Sequence, residues 1–600
     1  MFVISSLIFI ILFYGICIWG IVCDGGKERL RLLTKSFSIK SVVCLLAVII
    51  LLTLFVGYWA KSNRYIYYWD YSGYWTLAIN RTDYMLNNSF KDIMISLYDS
   101  INYDDYNIFL PSVTALPFSI IGNSFARYVF LVCIMFLVPT VLVQGLLVGK
   151  IINSQDNINR YYILGVLIAC LMPGNYYAAF RGYIDVAFLL PMSVTVYLFI
   201  DYDFKKISIS RNIAISLSLI LTWICRRYTI FFIIGFVAAM IVKAIFVVAK
   251  EKNSEIFRSI IINFLMIGGV SLGILLIFFR EFFLHALLTN YGEMYSAYDA
   301  PLSTKFVFLE EAFGIFSALI IICVGILCFV NKRNRTNFIS FVSMLLVSAG
   351  TFWMTQAMGA QHRMILNLPV FVIFVMLFDF WQTDESTIGV KARRMLLTRG
   401  LIVLCTMTMV LNFAKVFIVG LSAKGTTGFF SAKYYALQRN DLDEIEQLVT
   451  RLNELTAETD DWIYVAASGD ILNCDILRKS DMPNTDHAVN NLLNTCDVDL
   501  RDGFPADFTS AKYVVTTAPI QLHLASGQEV VSYIADGIQD ADSCIGCHYE
   551  KIDEYELDNG VVAKIYVKVS EYSESDLQQM RDYFSDLYPG NEDLFANRIN

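Results

Sequence analysis

Apolar runs close to twenty residues long recur along this chain, and they restrict its fold more than any other feature. A run of about 20 apolar residues crosses the hydrocarbon of a bilayer as a helix, because without water every backbone N–H and C=O must bond inside the segment. Twelve candidate spans lie near 2–23, 41–59, 126–148, 162–180, 183–200, 212–225, 228–248, 259–279, 306–330, 338–358, 364–381 and 400–420. With 56% hydrophobic and 14% aromatic residues and a mean hydropathy of +0.55, the 600-residue chain is too apolar for a water-soluble protein of that length. The first run lacks the basic n-region and small-residue cleavage site of a signal peptide, so it reads as a retained helix.

Basic residues set the expected orientation, since cytoplasmic loops hold an excess of Lys and Arg. Loops near 24–40, 149–161, 201–211, 249–258, 331–337 and 382–399 carry such clusters, among them Lys27, Arg29, Arg31, Lys35 and Lys40, and Lys332, Arg333 and Arg335. They alternate with the other loops as one topology requires. Placing them inside puts both termini, the long loop 60–125 and everything after about 421 outside.

Charge divides the chain at the same point. Residues 424–600 hold 13 Lys and Arg against 32 Asp and Glu, whereas the rest holds 33 against 22. The acidic tail has no spanning run and mixes helix and strand patterns. A helix is expected near 439–457 and another at 574–587, with strands in "WIYVAAS" and "KYVVTTA" and a hairpin in "EYELDNGVVAKIYVKV" turning at Asn559-Gly560. The expected fold class is an all-α polytopic membrane domain of about twelve transmembrane helices with a C-terminal soluble exoplasmic α/β domain. Residues 1–40 form an extra N-terminal helix and basic cytoplasmic loop, 41–423 the transmembrane domain, and 424–600 the acidic exoplasmic domain.

Nine of the 13 cysteines lie in or beside apolar runs, where a thiol packs as a small hydrophobe. Cys474, Cys496, Cys544 and Cys547 lie in the tail, where an oxidising compartment would allow two disulfides whose pairing the sequence leaves open. "CIGCH" at 544–548 matches the haem c attachment pattern but has no companion motif or evident axial partner. Five His without an HExxH pair argue against a zinc hydrolase, and the lack of GxGxxG or Walker loops argues against nucleotide chemistry. Nothing points to nucleic acid.

"RYIYYWDYSGYW" sets Asp70 among seven tyrosines and tryptophans just beyond a span. Tyr and Trp, Tyr74 among them, suit the membrane interface; an ionised carboxylate there is costly and tends to be functional. Further along, "WTLAINRTDYMLNNSF" reads as a surface helix, and "INYDDYNIFLPSVTALPFSIIG" supplies Asp104 and Asp105 before a proline-broken apolar re-entry. "PGNYYAAFRGYIDV" adds Arg181 and Asp185, "WICRRYTIFF" adds Arg226 and Arg227, and "AQHRMILNLP" adds Gln361, His362 and Arg363. Singly, such arginines are snorkelling anchors. Together on one face they call for anions, and a guanidinium fork suits phosphate.

Over residues 41–420 this pattern resembles the GT-C superfamily of polytopic glycosyltransferases, such as aminoarabinose transferases and protein O-mannosyltransferases. "LSLILTWICRRYTIFF" looks like that family's short helix pair with a basic outer tip, and "QHRMILNLPV" is similar to its late H-R-x-x-x-x-x-P element. The chain departs from the pattern in lacking an Asp-Glu dipeptide at Asp70 and in its extra first helix. The resemblance implies a polyprenyl-phosphate-linked sugar as donor and an exoplasmic glycan as acceptor. It implies Asp70 as general base, Arg226, Arg227, Arg363 and His362 at the donor phosphate, and Asp104, Asp105, Arg181, Asp185 and Tyr74 in acceptor binding or support. Asp104 and Asp105 would hold a divalent ion or stay solvated, so metal use is left open. The tail segments "DWIYVAASGDILNCDILRKS" and "CDVDLRDGFPADFTSAKYVVTTAPIQLHL" resemble the exoplasmic domain of bacterial envelope enzymes of this class, which implies the bacterial plasma membrane. A transporter or flippase of lipid-linked sugars is the alternative, although no internal repeat supports it; a sensor or scaffold working through its tail is a third reading.

Overall fold

The computed structural model describes residues 1–152, 157–385, 392–417, 437–459, 461–480 and 488–600. Two compact units emerge: Met1–Ser62, Asp70–Thr289 and Ala300–Ala436 form the first, and Asn63–Trp69, Asn290–Asp299 and Leu437–Asn600 the second. The expected boundary at 423 and 424 lies outside the described residues, as do parts of the basic loops 149–161 and 382–399. Two short stretches expected in the membrane domain, Asn63–Trp69 and Asn290–Asp299, belong instead to the second unit.

The first unit is helical. Among the described residues six helices are long and apolar enough to cross a bilayer: Phe2–Val22, Ile39–Ser62, Phe125–Ile152, Arg227–Glu251, Ser254–Phe278 and Arg335–Trp353. Counting each of two bent pairs as one span raises the number to eight. This is a multi-pass membrane protein. The most apolar part of Phe125–Ile152 is 72% buried and that of Ile39–Ser62 only 6%, so the former lies in the bundle interior and the latter at its periphery.

The expected span at 162–180 breaks into Ile158–Leu171 and Pro173–Phe180, 49° apart. Pro173 takes the first helical position and pushes Met172 into an extended conformation, which ends the preceding helix. Likewise the expected span at 306–330 bends by 86° between Leu302–Phe313 and Ile315–Asn331, at Gly314 with φ 74°. The apolar stretches Ile184–Ile200, Ile209–Cys225, Met364–Phe380 and Thr398–Ala414 are shorter than the run of about 20 residues that crosses hydrocarbon.

Leu189–Ile200 is buried along its whole length and packs against Phe2–Val22, Val138–Ile152, Ile209–Cys225 and Met364–Glu385. Polar side chains tie the bundle together where lipid gives no hydrophobic drive. Asn175 donates to Gln144 Oε1 at 2.7 Å and accepts from Asn367 Nδ2 at 2.7 Å.

Leu189–Ile200 and Ile209–Cys225 run antiparallel, and each end of the pair is locked by an acid and an arginine. Asp185, before the first helix, meets Arg226, after the second; Asp201, after the first, meets Arg211, in the first turn of the second. Asp24 joins Arg211 at 3.1 Å, and Lys150 joins Asp201 at 2.8 Å. Ion pairs therefore gather the basic segments around 24, 150 and 201–211 at the end opposite Asp185 and Arg226.

A four-stranded sheet of order β1-β2-β4-β3 anchors the second unit, with β1 Ile463–Ala466, β2 Tyr513–Ala518, β3 Tyr549–Glu556 and β4 Val562–Lys568. β1 and β2 are parallel; the other pairs are antiparallel. The β3–β4 hairpin turns at Asn559 (φ 58°) and Gly560 (φ 72°), as the Asn-Gly step requires. Helices Leu442–Thr456, Glu529–Gln539 and Glu574–Leu587 accompany the sheet, and Val530, Ile534, Phe584 and Phe595 pack with Tyr464 and Val514 in one core.

The four tail cysteines are free thiols. Cys474 and Cys496 direct their sulfurs to different acceptors, Leu493 O and Asp499 Oδ1, instead of to each other. His548 of the haem-like motif uses both ring nitrogens, on Ser570 Oγ at 2.7 Å and Asp576 Oδ2 at 3.2 Å.

Candidate functional site

Asp70 is the first residue of helix Asp70–Asn87, where the exposed N–H groups of the helix start favour a negative charge. Tyr74 follows one turn later on the same face. Asp70 is partly exposed and accepts from Gln361 Nε2 at 3.3 Å. No arginine or lysine pairs with it among the described residues.

Arg226 stands at the centre of the polar cluster. Its Nε lies 2.9 Å from Asp185 Oδ1, and Nη1 donates to the Tyr74 hydroxyl. The rings of Tyr74, Tyr106 and Tyr228 lie 5.0, 5.1 and 5.4 Å from the guanidinium carbon, close enough for each π-face to share the cation's field. Tyr228 donates to Asp185 Oδ1 at 2.5 Å and lies 3.4 Å from the Gln361 carbonyl. Asp70, Gln361, Tyr228, Asp185, Arg226 and Tyr74 thus form one connected network. Burial pushes the Tyr74 phenol up, so it remains a neutral hydroxyl.

Arg227 turns the other way. It binds the Asp105 carboxylate and, at 2.8 Å, the Asp104 carbonyl, while His285 approaches Asp105 at 3.5 Å. Asp104 and Asp105 are both exposed. Arg363 is 2% exposed, donates to the Met358 carbonyl at 3.1 Å, lies over the Phe308 ring and has Glu311 at 3.9 Å. The arginines expected at a donor phosphate therefore have acidic neighbours within the fold. A guanidinium buried beside hydrocarbon is too costly unpaired, which is why each is met by an anion.

His362, expected at the donor phosphate beside Arg363, makes contacts of a different kind from those of the arginines. Its Nδ1 accepts the Gly359 N–H at 3.1 Å, and its ring packs against Tyr228 and Phe352. Burial, reinforced by Arg226 and Arg363, holds its pKa down to about 3. The imidazole is neutral at physiological pH and can offer only an uncharged N–H.

Arg181 is buried just past helix Pro173–Phe180. Its neighbour Gly182 has φ 91°, and a Cβ there would lie 2.3 Å from the Tyr71 carbonyl. Only glycine lets the segment 181–183 come this close to the residue after Asp70. Tyr183 completes the contact with its ring 4.9 Å from that of Tyr71.

Asp70, Tyr74, Asp185 and Arg226 thus share one network, whereas Arg227, Asp104 and Asp105 form a neighbouring one. Tyr228, Tyr106, Glu311 and His285 were absent from the sequence reading. Tyr228 follows the Arg pair directly and could have been found as the hydroxyl able to cap a buried acid; the other three become visible only in the fold. Among the described residues no group of His, Cys, Asp and Glu is arranged to hold a metal ion.

Comparison with protein-family models and with curated proteins returned no match.

Proposed function

We propose that the helical unit is a membrane glycosyltransferase that moves a sugar from a polyprenyl-phosphate donor to a cell-envelope glycan with inversion, Asp70 acting as general base. One observation carries this reading: Asp185 and Asp105 are engaged by arginine, whereas Asp70 is met by the neutral amide of Gln361. Asp70 is only partly buried, at the edge of the Arg226 network, where its carboxylate can meet an acceptor hydroxyl. In the proposed step the acceptor hydroxyl oxygen attacks the anomeric carbon and its proton passes to Asp70. The bond from that carbon to the phosphate oxygen breaks, and the lipid phosphate leaves with the electron pair. Cationic and hydrogen-bonding groups of the arginine clusters stabilise the departing charge.

In this reading the chain has twelve spans in a bacterial plasma membrane. The polar network faces the exoplasmic side, and residues 437–600 form a soluble domain there. The position of the charges favours a transferase over a transporter or flippase of lipid-linked sugars. Asp70, Asp185, Arg226 and Gln361 all stand at helix ends on one side of the bundle, whereas a transporter keeps such groups near the midplane. Purified protein incubated with a panel of polyprenyl-phosphate sugars and envelope glycans tests the proposal, with release of polyprenyl phosphate as the readout. Movement of intact lipid-linked sugar across a vesicle membrane without its cleavage would instead favour the flippase.

A further inference from the structure

Trp69 has φ 46°, in the left-handed region that an aromatic residue enters only at a cost. Among the described residues the other non-glycine residues with positive φ are Asp, Asn and Lys, whereas Trp69 is bulky and directly precedes Asp70. Such a conformation persists only where its surroundings over-determine it.

Those surroundings come from the second unit, of which Asn63–Trp69 is a part. Asp475 Oδ2 accepts the Trp69 N–H at 2.7 Å, and the indole packs 4.5 Å from the His523 ring. One residue earlier, the Tyr68 hydroxyl donates to Asp470 Oδ1 at 2.5 Å; at the start of the segment the Arg439 N–H donates to the Arg64 carbonyl at 3.0 Å. Ile66, Tyr67 and Tyr68 are buried.

The gripping residues are themselves fixed. Asp470 follows β1, and His523 follows β2. His523 Nδ1 lies 3.1 Å from Ser468 Oγ, and Gln528 Oε1 accepts the His523 and Leu524 N–H groups at 3.0 and 2.8 Å. The loops at the carboxyl ends of two parallel strands thus close around Tyr68 and Trp69, at the place where an α/β sheet ordinarily holds a ligand.

We infer that the C-terminal unit is a clamp whose Asp475 holds Trp69 in its strained conformation and so sets the direction in which the chain delivers Asp70. Asp475 and Trp69 are positioning residues acting through one peptide bond. The inference rests on the reading of Asp70 as the proton acceptor. It gives the tail a role in catalysis without chemistry of its own.

The test uses the full-length protein in lipid nanodiscs, with hydrogen exchange over residues 63–75 read by mass spectrometry beside donor turnover. Asp475→Ala removes a charge-assisted hydrogen bond and should raise exchange over 63–75 by about tenfold or more. It should lower kcat by about as much while KM for the donor stays unchanged. Asp475→Asn keeps an accepting oxygen and should stay close to wild type in both. Tyr68→Phe removes the hydrogen bond to Asp470, another of the segment's contacts, and should raise exchange by a few fold, about what one neutral hydrogen bond supplies; it keeps the test open if Asp475→Ala does not fold. Unchanged exchange in Asp475→Ala, or in Tyr68→Phe should that variant alone be obtained, overturns the clamp. Raised exchange with unchanged kcat overturns the positioning role. A wild-type protein that releases no polyprenyl phosphate would sink the transferase reading and with it the positioning of a base, while exchange alone would still decide whether the clamp exists.

Discussion

Arg226 and Asp185 meet with Nε 2.9 Å from Oδ1, the aspartate wholly shielded from solvent and the arginine nearly so. Removing one member leaves the other charge buried without its partner, which costs about 3–5 kcal/mol. Asp185→Leu should therefore lower the thermal unfolding midpoint of the purified protein sharply. Asp185→Leu combined with Arg226→Met should recover most of that loss, because no unpaired charge remains. A single variant as stable as wild type would show that the pair lies open to water.

Gly182 admits the Tyr71 carbonyl where a Cβ would lie 2.3 Å away, and its φ of 91° disfavours any side chain. Gly182→Ala should cost about 1–3 kcal/mol in strain. It should also displace Tyr71 and with it the start of the Asp70 helix. The expected outcome is reduced donor turnover accompanied by faster hydrogen exchange over 71–75, with exchange in β1 and β2 unaltered.

Burial pushes the Asp497 carboxyl up to about 6, against the opposing hydrogen bond from Ser468 Oγ at 2.6 Å. An unfolded Asp titrates near 3.9, so the folded unit holds the proton more tightly than the unfolded chain. The resulting stabilisation is complete below about pH 4 and is lost as pH rises through about 6. Asp497→Asn keeps an acceptor for Ser468 without the charge. It should stabilise the second unit by about 1–3 kcal/mol at pH 7 and leave it unchanged at pH 4. Exchange protection of β1 and β2, corrected for intrinsic rates at each pH, checks this.

Hydropathy marks apolar helices because each run must bury its backbone in hydrogen bonds, but of twelve expected spans six to eight helices among the described residues are long and apolar enough to cross a bilayer, and hydropathy cannot tell a straight span from a broken one. Pro173 and Gly314 leave the average apolarity of their runs almost untouched while bending them by 49° and 86°. In the tail the period-two runs and the Asn-Gly step correspond to β1, β2 and the β3–β4 hairpin. Helix Glu529–Gln539 is a further element of the tail, legible in the recurrence of Val530, Val531, Ile534, Ala535 and Ile538 on one face. Charges set among apolar residues drew attention to Asp70, Arg226 and Arg363. Their partners depend on tertiary folding: Asp185 reaches Arg226 from another helix, and Asp470 and Asp475 reach Tyr68 and Trp69 across separations of 402 and 406 residues. No local pattern signals such contacts.

Asp70→Asn in the polyprenyl-phosphate-sugar transfer assay tests the central claim most directly, because the amide preserves shape and the contact with Gln361 while removing the proton acceptor. The account predicts a fall in kcat of about 10²- to 10⁴-fold, with donor binding and the unfolding midpoint unchanged. Transfer at the wild-type rate by this variant would contradict it.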